Sequence, residues 1–266
     1  VLVLDNGSGP EQEELLSKIE GAELMLLGEN LGYCAAMNRG IAWAEEQDAE
    51  QVLLLNNDVR MPDRFLRPMV EVLHNDDSLA AVAPTILSPN GKVWAQGARV
   101  RFGPNLVRLD GQGRDPIDVT TGPHAADFLP GACVLYRLAD LKAIGGLDES
   151  YFMYFEDADL GKRLRDRGRK LLWLPWVRVV HDASASSGGG RTPLRKYMMA
   201  ANCVRYLRQH GSMRLWCAFV VFELCGWPFA FLFSGLGAGW AKMMGIIDGL
   251  LGHQVEAADV HRWVGS

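Results

Sequence analysis

Four short apolar runs separated by helical patterns constrain this chain most. "VLVL" (1–4) closes on Asp5-Asn6-Gly7, and "AELMLL" (22–27) on a "GENLGY" turn. "QVLLL" opens 51–58 and closes on Asn56-Asn57-Asp58, and "LAAVAPTIL" fills 79–87. Runs this short, rich in Val and Leu and bounded by turn residues, read as buried strands. Between them, residues 10–20 predict a helix with Leu15, Leu16 and Ile19 on one face. Residues 34–47 predict a helix of small residues, and 64–76 a third helix. This alternation predicts a doubly wound α/β sheet, mostly parallel and flanked by helices. Ligands in such sheets sit beyond the carboxyl ends of the strands. Asp5 and Asn56–Asp58 stand at two of those ends.

The second half is less regular. Residues 88–127 are rich in Gly, Pro, Arg and polar side chains and predict loops and short antiparallel strands. "GACVLYRLADLKAIGGLDE" (131–149) predicts a strand and then a helix from Leu138, ended by Gly145-Gly146. A helix over 157–167 stops at Gly168. Residues 170–182 are strand-like, with Pro175 marking a break or an edge, and 184–190 (SASSGGG) read as a flexible loop. A hydrophobic content of 48% over 266 residues is ample for a packed core.

Net charge of −5 argues against nucleic acid as a partner. Five scattered cysteines with no C-x-x-C spacing point to a reducing compartment and buried thiols rather than disulfides or zinc. The sequence opens directly on an apolar strand, with no initiator Met and no leader-like charged segment. Composition changes after Gly190. Residues 191–214 hold six Lys or Arg and no acid, and 215–241 hold one charge, Glu223. The apolar run is long enough for a bilayer, but Gly226-Trp227-Pro228 and Gly235, Gly237 and Gly239 interrupt it. A basic segment beside an apolar, Trp-bearing one fits docking at an anionic membrane face. The alternative is a helical hairpin buried against the main domain. Peripheral attachment is expected rather than a full span. The expected division is 1–210 for the α/β domain and 211–266 for a basic, apolar helical tail.

Candidate site residues each have a plain reading. Asn56, Asn57 and Asp58 can hold a hard cation, and they are equally ordinary turn residues. Asp5 before Gly7-Ser8 can accept hydrogen bonds from a base or sugar, or simply connect strand to helix. Asn38 inside "NLGYCAAMNRG" faces a ligand or solvent. His181 after "VRVV" is a cation ligand or a structural histidine. In "YFMYFEDADLGKRLRDRG" (151–168), Asp159 pairs with Arg163 at i,i+4 and acids suit a helix start. That leaves Glu156 and Asp157 against four aromatic residues. Burial raises a carboxyl pKa while a helix N-terminus lowers it, a balance suited to a general base.

In order along the chain, "LDNGS", "NLGYCAAMNRG", "LLLNND", "GACVLYR", "GGLDESYFMYFEDADLGKRLRDRG" and "VVHDASAS" resemble the family 2 inverting glycosyltransferases of the GT-A fold, a Rossmann-like architecture. The likeness is to their rhamnosyltransferase-like branch and covers roughly residues 1–210. The resemblance implies roles by position. Asp5 matches the acid at the nucleotide base, and Asn30, Gly32 and Asn38 the second nucleotide-side loop, with Asn57 nearby. Asn56-Asn57-Asp58 occupies the D-x-D metal position, with Asp58 the chief ligand of Mg²⁺ or Mn²⁺ and His181 a further one. Asp157 matches the catalytic base, with Glu156 the runner-up. Gly131, Ala132 and the aromatic wall around Tyr154 would line the acceptor side. Two departures stand out. The metal position carries Asn twice, and the family's strand and helix ahead of "LDNGS" have no counterpart, so the expected fold lacks its first strand.

The implied reaction is a metal-dependent single displacement with inversion. A nucleotide-diphosphate sugar, rhamnose-like by the branch, is the donor. The acceptor is a saccharide, lipid-linked given the tail, at the cytoplasmic face of the membrane. The Q-x-x-R-W string of processive synthases is absent, "DVHRW" (259–263) lacking the Gln, so transfer of a single sugar is expected. The rival readings are a sugar nucleotidyltransferase, which would want a basic Gly-rich loop where "DNGSGPEQEE" is acidic, and a non-catalytic membrane-docked module.

Overall fold

The structure is a computed structural model describing residues 1–117, 122–182, 192–225 and 235–263. Two regions singled out above, the 184–190 loop and the Gly226-Trp227-Pro228 break, lie outside the described residues.

The apolar runs form strands, and they fall into separate sheets. β1 (Leu2–Asp5) pairs in parallel with β2 (Glu23–Leu26) in a two-stranded sheet. A larger sheet carries β3 (Gln51–Leu55), β4 (Val59–Arg60), β5 (Leu79–Leu87), β6 (Val93–Ala95), β9 (His124–Ala125), β10 (Cys133–Arg137) and β11 (Lys170–His181). Its order is β3-β10-β5-β11-β4, with β6 joined to β5 and β9 to β11. The hairpin β7 (Ala98–Val100) and β8 (Val107–Leu109) stands apart.

The large sheet corrects the mostly parallel expectation. Its one parallel pair is β5–β11, and β10 lies antiparallel between β3 and β5. The cause is the excursion from β6 to β9, which returns the chain to the sheet from the opposite end. Strand alternation within a run sets which face a residue lines; it does not set the direction of the strand. Pro175 falls in the irregular stretch of β11 between Leu174 and Arg178, where the register with β5 shifts, as a residue without an N–H requires.

The sheet is covered on both sides. Val82, Leu135 and Leu174 point to one face, where Met69 and Leu73 of α3 (Leu66–Asn75) pack on them. Ala81, Ala83, Val134, Tyr136 and Trp173 point to the other, under α2 (Tyr33–Glu46), α4 (Leu138–Ala143) and α5 (Glu156–Asp166). The helix expected over 10–20 is a correction: α1 spans Pro10–Leu16, buries no residue, and leaves Leu15 and Ile19 exposed. Of the face that the spacing marks, Leu16 alone is partly buried.

α6 (Pro193–His210) follows, capped by the Thr192 side chain, then α7 (Met213–Phe219) and a π-helical turn (Val220–Leu224). α8 (Leu236–Leu251) lies along α6, and α9 (Ala257–Trp263) closes the described chain. Cys203, Tyr206 and Leu207 of α6 and Phe219 of α7 join the same apolar cluster as the sheet-covering helices. α8 approaches α6 at Gly245, where an added Cβ would stand 2.2 Å from the Tyr197 carbonyl oxygen. Cys34, Cys133 and Cys203 are buried thiols, whereas Cys217 and Cys225 are exposed. The expectation of buried thiols therefore fails for those two, which face out of the tail helices.

Candidate active site

A chain of hydrogen bonds gathers the predicted residues at the carboxyl ends of the strands. It starts at Asp5, whose Oδ2 accepts from the Gly7 and Ser8 N–H groups at 3.1 Å each. Burial works to raise this carboxyl, the bonds from its own turn outweigh it, and its pKa lies below the ordinary value. Asn6, which the motif reading passed over, ties this turn to the next. Its Nδ2 donates to Asn30 Oδ1 at 3.1 Å and to the Gly32 carbonyl at 3.2 Å, and its Oδ1 accepts from the Leu31 N–H at 2.9 Å.

Gly32 then meets the aromatic loop. It has φ +85°, and a Cβ there would stand 2.7 Å from Phe152 Cδ2; only glycine suits both demands. The Tyr33 N–H donates to the Phe152 carbonyl at 2.7 Å. The Tyr33 hydroxyl donates to the Gly131 carbonyl at 2.9 Å, across 98 positions of sequence. Gly131 in turn donates its N–H to the Asp157 carboxylate. Its neighbour Ala132 accepts from the Asn56 N–H at 2.9 Å. Residues 131–132 thus join the base side to the Asn56–Asp58 turn.

That turn faces β11. Strands β4 and β11 pair with Val59 opposite His181, which brings His181 Nε2 within 3.1 Å of Asp58 Oδ1. Trp94 packs edge-on against the His181 ring at 4.6 Å between centroids. His181 is buried, and its Nδ1 has no hydrogen-bond partner among the described residues. Asn57 is exposed and Asn56 partly so. No group of three or more His, Cys, Asp or Glu side chains poised for a metal occurs among the described residues. Even so, one carboxylate, one imidazole with an unspent nitrogen and two amide oxygens fit a divalent ion that keeps sites for diphosphate oxygens and water.

The carboxylates of α5 sit in different surroundings from Asp5. Tyr154 and Phe155, just before the helix, both have φ +72°. Each such non-glycine residue costs on the order of 1–3 kcal/mol and persists only where surroundings enforce it. Here the enforcer is Asn202 of α6, whose buried Nδ2 donates to the Met153 carbonyl at 2.8 Å and the Tyr154 carbonyl at 3.0 Å. An asparagine amid the apolar "MMAANCV" was the sequence signal for this contact. Asp159 is more than helix construction: buried, it pairs with Arg163 at 2.7 Å and with His210 Nε2 at 2.7 Å, fastening α5 to α6.

Glu156 is pushed up to about 8, by burial first and then by the Asp157 charge. Asp157 is pushed up to about 6 by burial, held back by N–H groups of Ala158, Gly131 and itself. Glu156 Oε2 is buried without a hydrogen-bond partner among the described residues, which suits a protonated carboxyl. Both neighbouring carboxyls are thus held above the ordinary range, Glu156 further than Asp157, a setting that favours one neutral carboxyl beside one ionised one. Burial also raises the phenols of Tyr33 and Tyr136, with the neighbouring acid pair adding to it, so both remain neutral.

Asn38 does not join this arrangement. Its amide donates to the Leu147 carbonyl and to Glu149 Oε1 and accepts from the Leu147 N–H, each at 2.9 Å. It braces the "GGLDE" segment, and its amide is spent there instead of facing a ligand. Tyr154, expected on the acceptor side, has Arg195 of α6 over its ring at 5.2 Å.

Known proteins resemble both the sequence and the fold. An N-acetylglucosaminyl-diphospho-decaprenol L-rhamnosyltransferase of Mycobacterium tuberculosis is 29% identical over 71% of this chain and 68% of its own length. A dTDP-rhamnosyl transferase, RfbF, of Shigella flexneri is 25% identical over 84% of this chain and 76% of its own. A mannosyltransferase from Pyrobaculum calidifontis, solved with GDP-Man and Mn2+, matches the fold at TM-score 0.52 and 14% identity, over 94% of this chain and 77% of that one. GalNAc-T7, solved with UDP, GalNAc and Mn2+, matches at TM-score 0.54 and 14% identity over 85% of this chain, which spans about half of it, 51%. The family model for glycosyl transferase family 2 matches residues 1–145, more than half of the sequence. With the strand ends, the Glu156–Asp157 pair and the Asn-Asn-Asp turn joined by this run of hydrogen bonds, this chain belongs to glycosyl transferase family 2.

Proposed function

We propose that the protein transfers one sugar from a nucleotide-diphosphate donor to a saccharide hydroxyl, by a single displacement with inversion and with Asp157 as the base. The observation that carries this is the split acid pair. Asp157 is an anion near neutrality, poorly solvated and oriented by the Gly131 and Ala158 N–H groups, while its neighbour Glu156 stays protonated. A base in that state takes the proton of an acceptor hydroxyl as the hydroxyl attacks the anomeric carbon. No enzyme nucleophile is needed. The aromatic loop at 151–155 forms the wall against which the acceptor lies.

Donor binding falls to the other end of the hydrogen-bonded chain. Asp5 offers a fixed anion to the nucleotide base, and the Asn30–Gly32 turn closes over it. Asp58, His181, Asn56 and Asn57 would hold a Mg²⁺ or Mn²⁺ ion. Such an ion neutralises the departing diphosphate when bound. The Mn²⁺ solved with both structural neighbours supports that choice of ion, and the two rhamnosyltransferase relatives support a rhamnose-like donor. The decaprenol relative supports a lipid-linked acceptor, and the basic, apolar tail supports peripheral attachment at the cytoplasmic membrane face.

The test is Asp157→Asn. It should abolish transfer while calorimetry shows donor binding and the thermal melt unchanged; unaltered turnover would remove the base assignment. Asp58→Ala should weaken donor binding in the presence of Mn²⁺. Full activity in EDTA would exclude the ion.

A further inference from the structure

The outer face of α8 is inverted in polarity for a solvent-facing helix. Leu236, Trp240, Ile247 and Leu251 fall within about 60° of one another at 100° per residue, and they are 78%, 50%, 39% and 79% exposed. A surface helix of a globular protein turns charges outward and its apolar stripe inward. The two charges of α8 are instead spent internally: Lys242 Nζ meets Glu223 at 2.8 Å, and Asp248 accepts from the Tyr197 hydroxyl at 2.8 Å.

We propose that this face of α8 is the surface on which the protein lies against an anionic lipid bilayer, a proposal that rests on the peripheral attachment given above and names its contact. Charge complementarity selects the occupant. Between residues 192 and 251 the acids are Glu223 and Asp248, both already paired, against Arg195, Lys196, Arg205, Arg208, Arg214 and Lys242. Arg205 donates to the His253 carbonyl, and Arg208 to those of Gly249 and Leu250. These two guanidinium groups therefore stand at the Leu251 end of the stripe, where anionic headgroups would meet the rim of an inserted apolar face.

The length of α8 sets the mode. Its 16 residues extend about 24 Å, short of a hydrocarbon core of about 30 Å. No helix among the described residues is long and apolar enough to cross a membrane. α8 therefore lies in the interface plane. Docking also reaches the site. α6 packs on α8 through the Tyr197–Gly245 contact, and the same helix holds the Met153 and Tyr154 carbonyls through Asn202. The docked helix pair and the aromatic loop then move as one unit, holding the acceptor wall at a fixed height above the lipid.

The experiment is vesicle flotation of the full chain, with phosphatidylcholine alone and with phosphatidylcholine mixed with phosphatidylglycerol, for wild type and the double variant Trp240→Glu, Leu251→Glu. Wild type should float with the mixed vesicles, and the double variant should lose at least about tenfold in bound fraction. Both residues are exposed, so the melt of the variant and its transfer to a water-soluble acceptor should hold. Asp157→Asn should float like wild type, which separates docking from the catalytic reading. A double variant that floats normally would overturn the choice of face while leaving attachment intact. A wild type that floats with neither vesicle would overturn attachment and face together. A wild-type dimer in light scattering that the double variant dissociates would assign the face to a second copy and overturn the proposal.

Discussion

Asp5 and Asp157 are both aspartates at the end of a secondary-structure element, and both accept backbone N–H bonds, yet their pKa values move in opposite directions. At Asp5, two N–H groups from its own turn outweigh burial and the acid falls below its ordinary value. At Asp157, burial outweighs the N–H groups of Ala158 and Gly131, and the acid is pushed up to about 6. The difference lies in what surrounds each one. Asp5 closes a short turn at the edge of a two-stranded sheet beside α1, a helix that buries nothing. Asp157, partly buried, sits behind two strained aromatic residues, beside the buried Glu156 carboxyl, on a helix clamped by Arg163 and His210. A fixed anion suits recognition, and a poised one suits proton transfer.

The sharpest way to break this contrast is the pH dependence of transfer. The base role proposed for Asp157 requires the ionised carboxyl, so kcat/KM should fall about tenfold per unit as pH drops below about 6. Asp5, ionised throughout that window, contributes nothing to the limb. Asn202→Ala should come next in size. It removes two buried hydrogen bonds from the strained Tyr154–Phe155 pair, costing about 2 kcal/mol and lowering Tm by roughly 4–8 °C, with a slower kcat as the base helix loosens.

Glu156→Gln sharpens the comparison through stability. The unfolded chain gives up the Glu156 proton in the ordinary carboxylate range, while the folded protein keeps it to about 8. Between those values the folded state binds the extra proton, so stability falls as pH rises through the window. Glutamine has no proton to lose, and the variant should gain on the order of 4 kcal/mol over wild type at pH 8, roughly 8–16 °C in Tm, and almost nothing at pH 4. Tyr33→Phe should have the smallest effect. Loss of its bond to the Gly131 carbonyl loosens residue 131, whose N–H bonds Asp157, so kcat should fall a few-fold and the acid limb should move up in pH.

Much of this was legible from local pattern. β3 and β5 were marked by their apolar runs, α5 by its first-turn acids and the stop at Gly168, and Glu156 and Asp157 by the aromatic residues ahead of them. What local pattern cannot carry is the partner across the fold. Tyr33 meets Gly131 98 positions away, and Asn202 reaches back to Met153. No spacing rule announces either contact. The direction of β10 was hidden for the same reason, since it depends on the path of the chain between β6 and β9. Asn38 shows the opposite error. An asparagine inside a helix is a real signal of a side-chain partner, and here the partner is the Leu147 backbone.

The direct test of the central claim compares Asp157→Asn with Glu156→Gln in one transfer assay at pH 7.5, with donor binding measured alongside. The split acid pair predicts a loss of about a thousandfold for Asp157→Asn and less than about tenfold for Glu156→Gln, with binding intact in both. The reverse order, with Glu156→Gln inactive and Asp157→Asn still turning over, would contradict it.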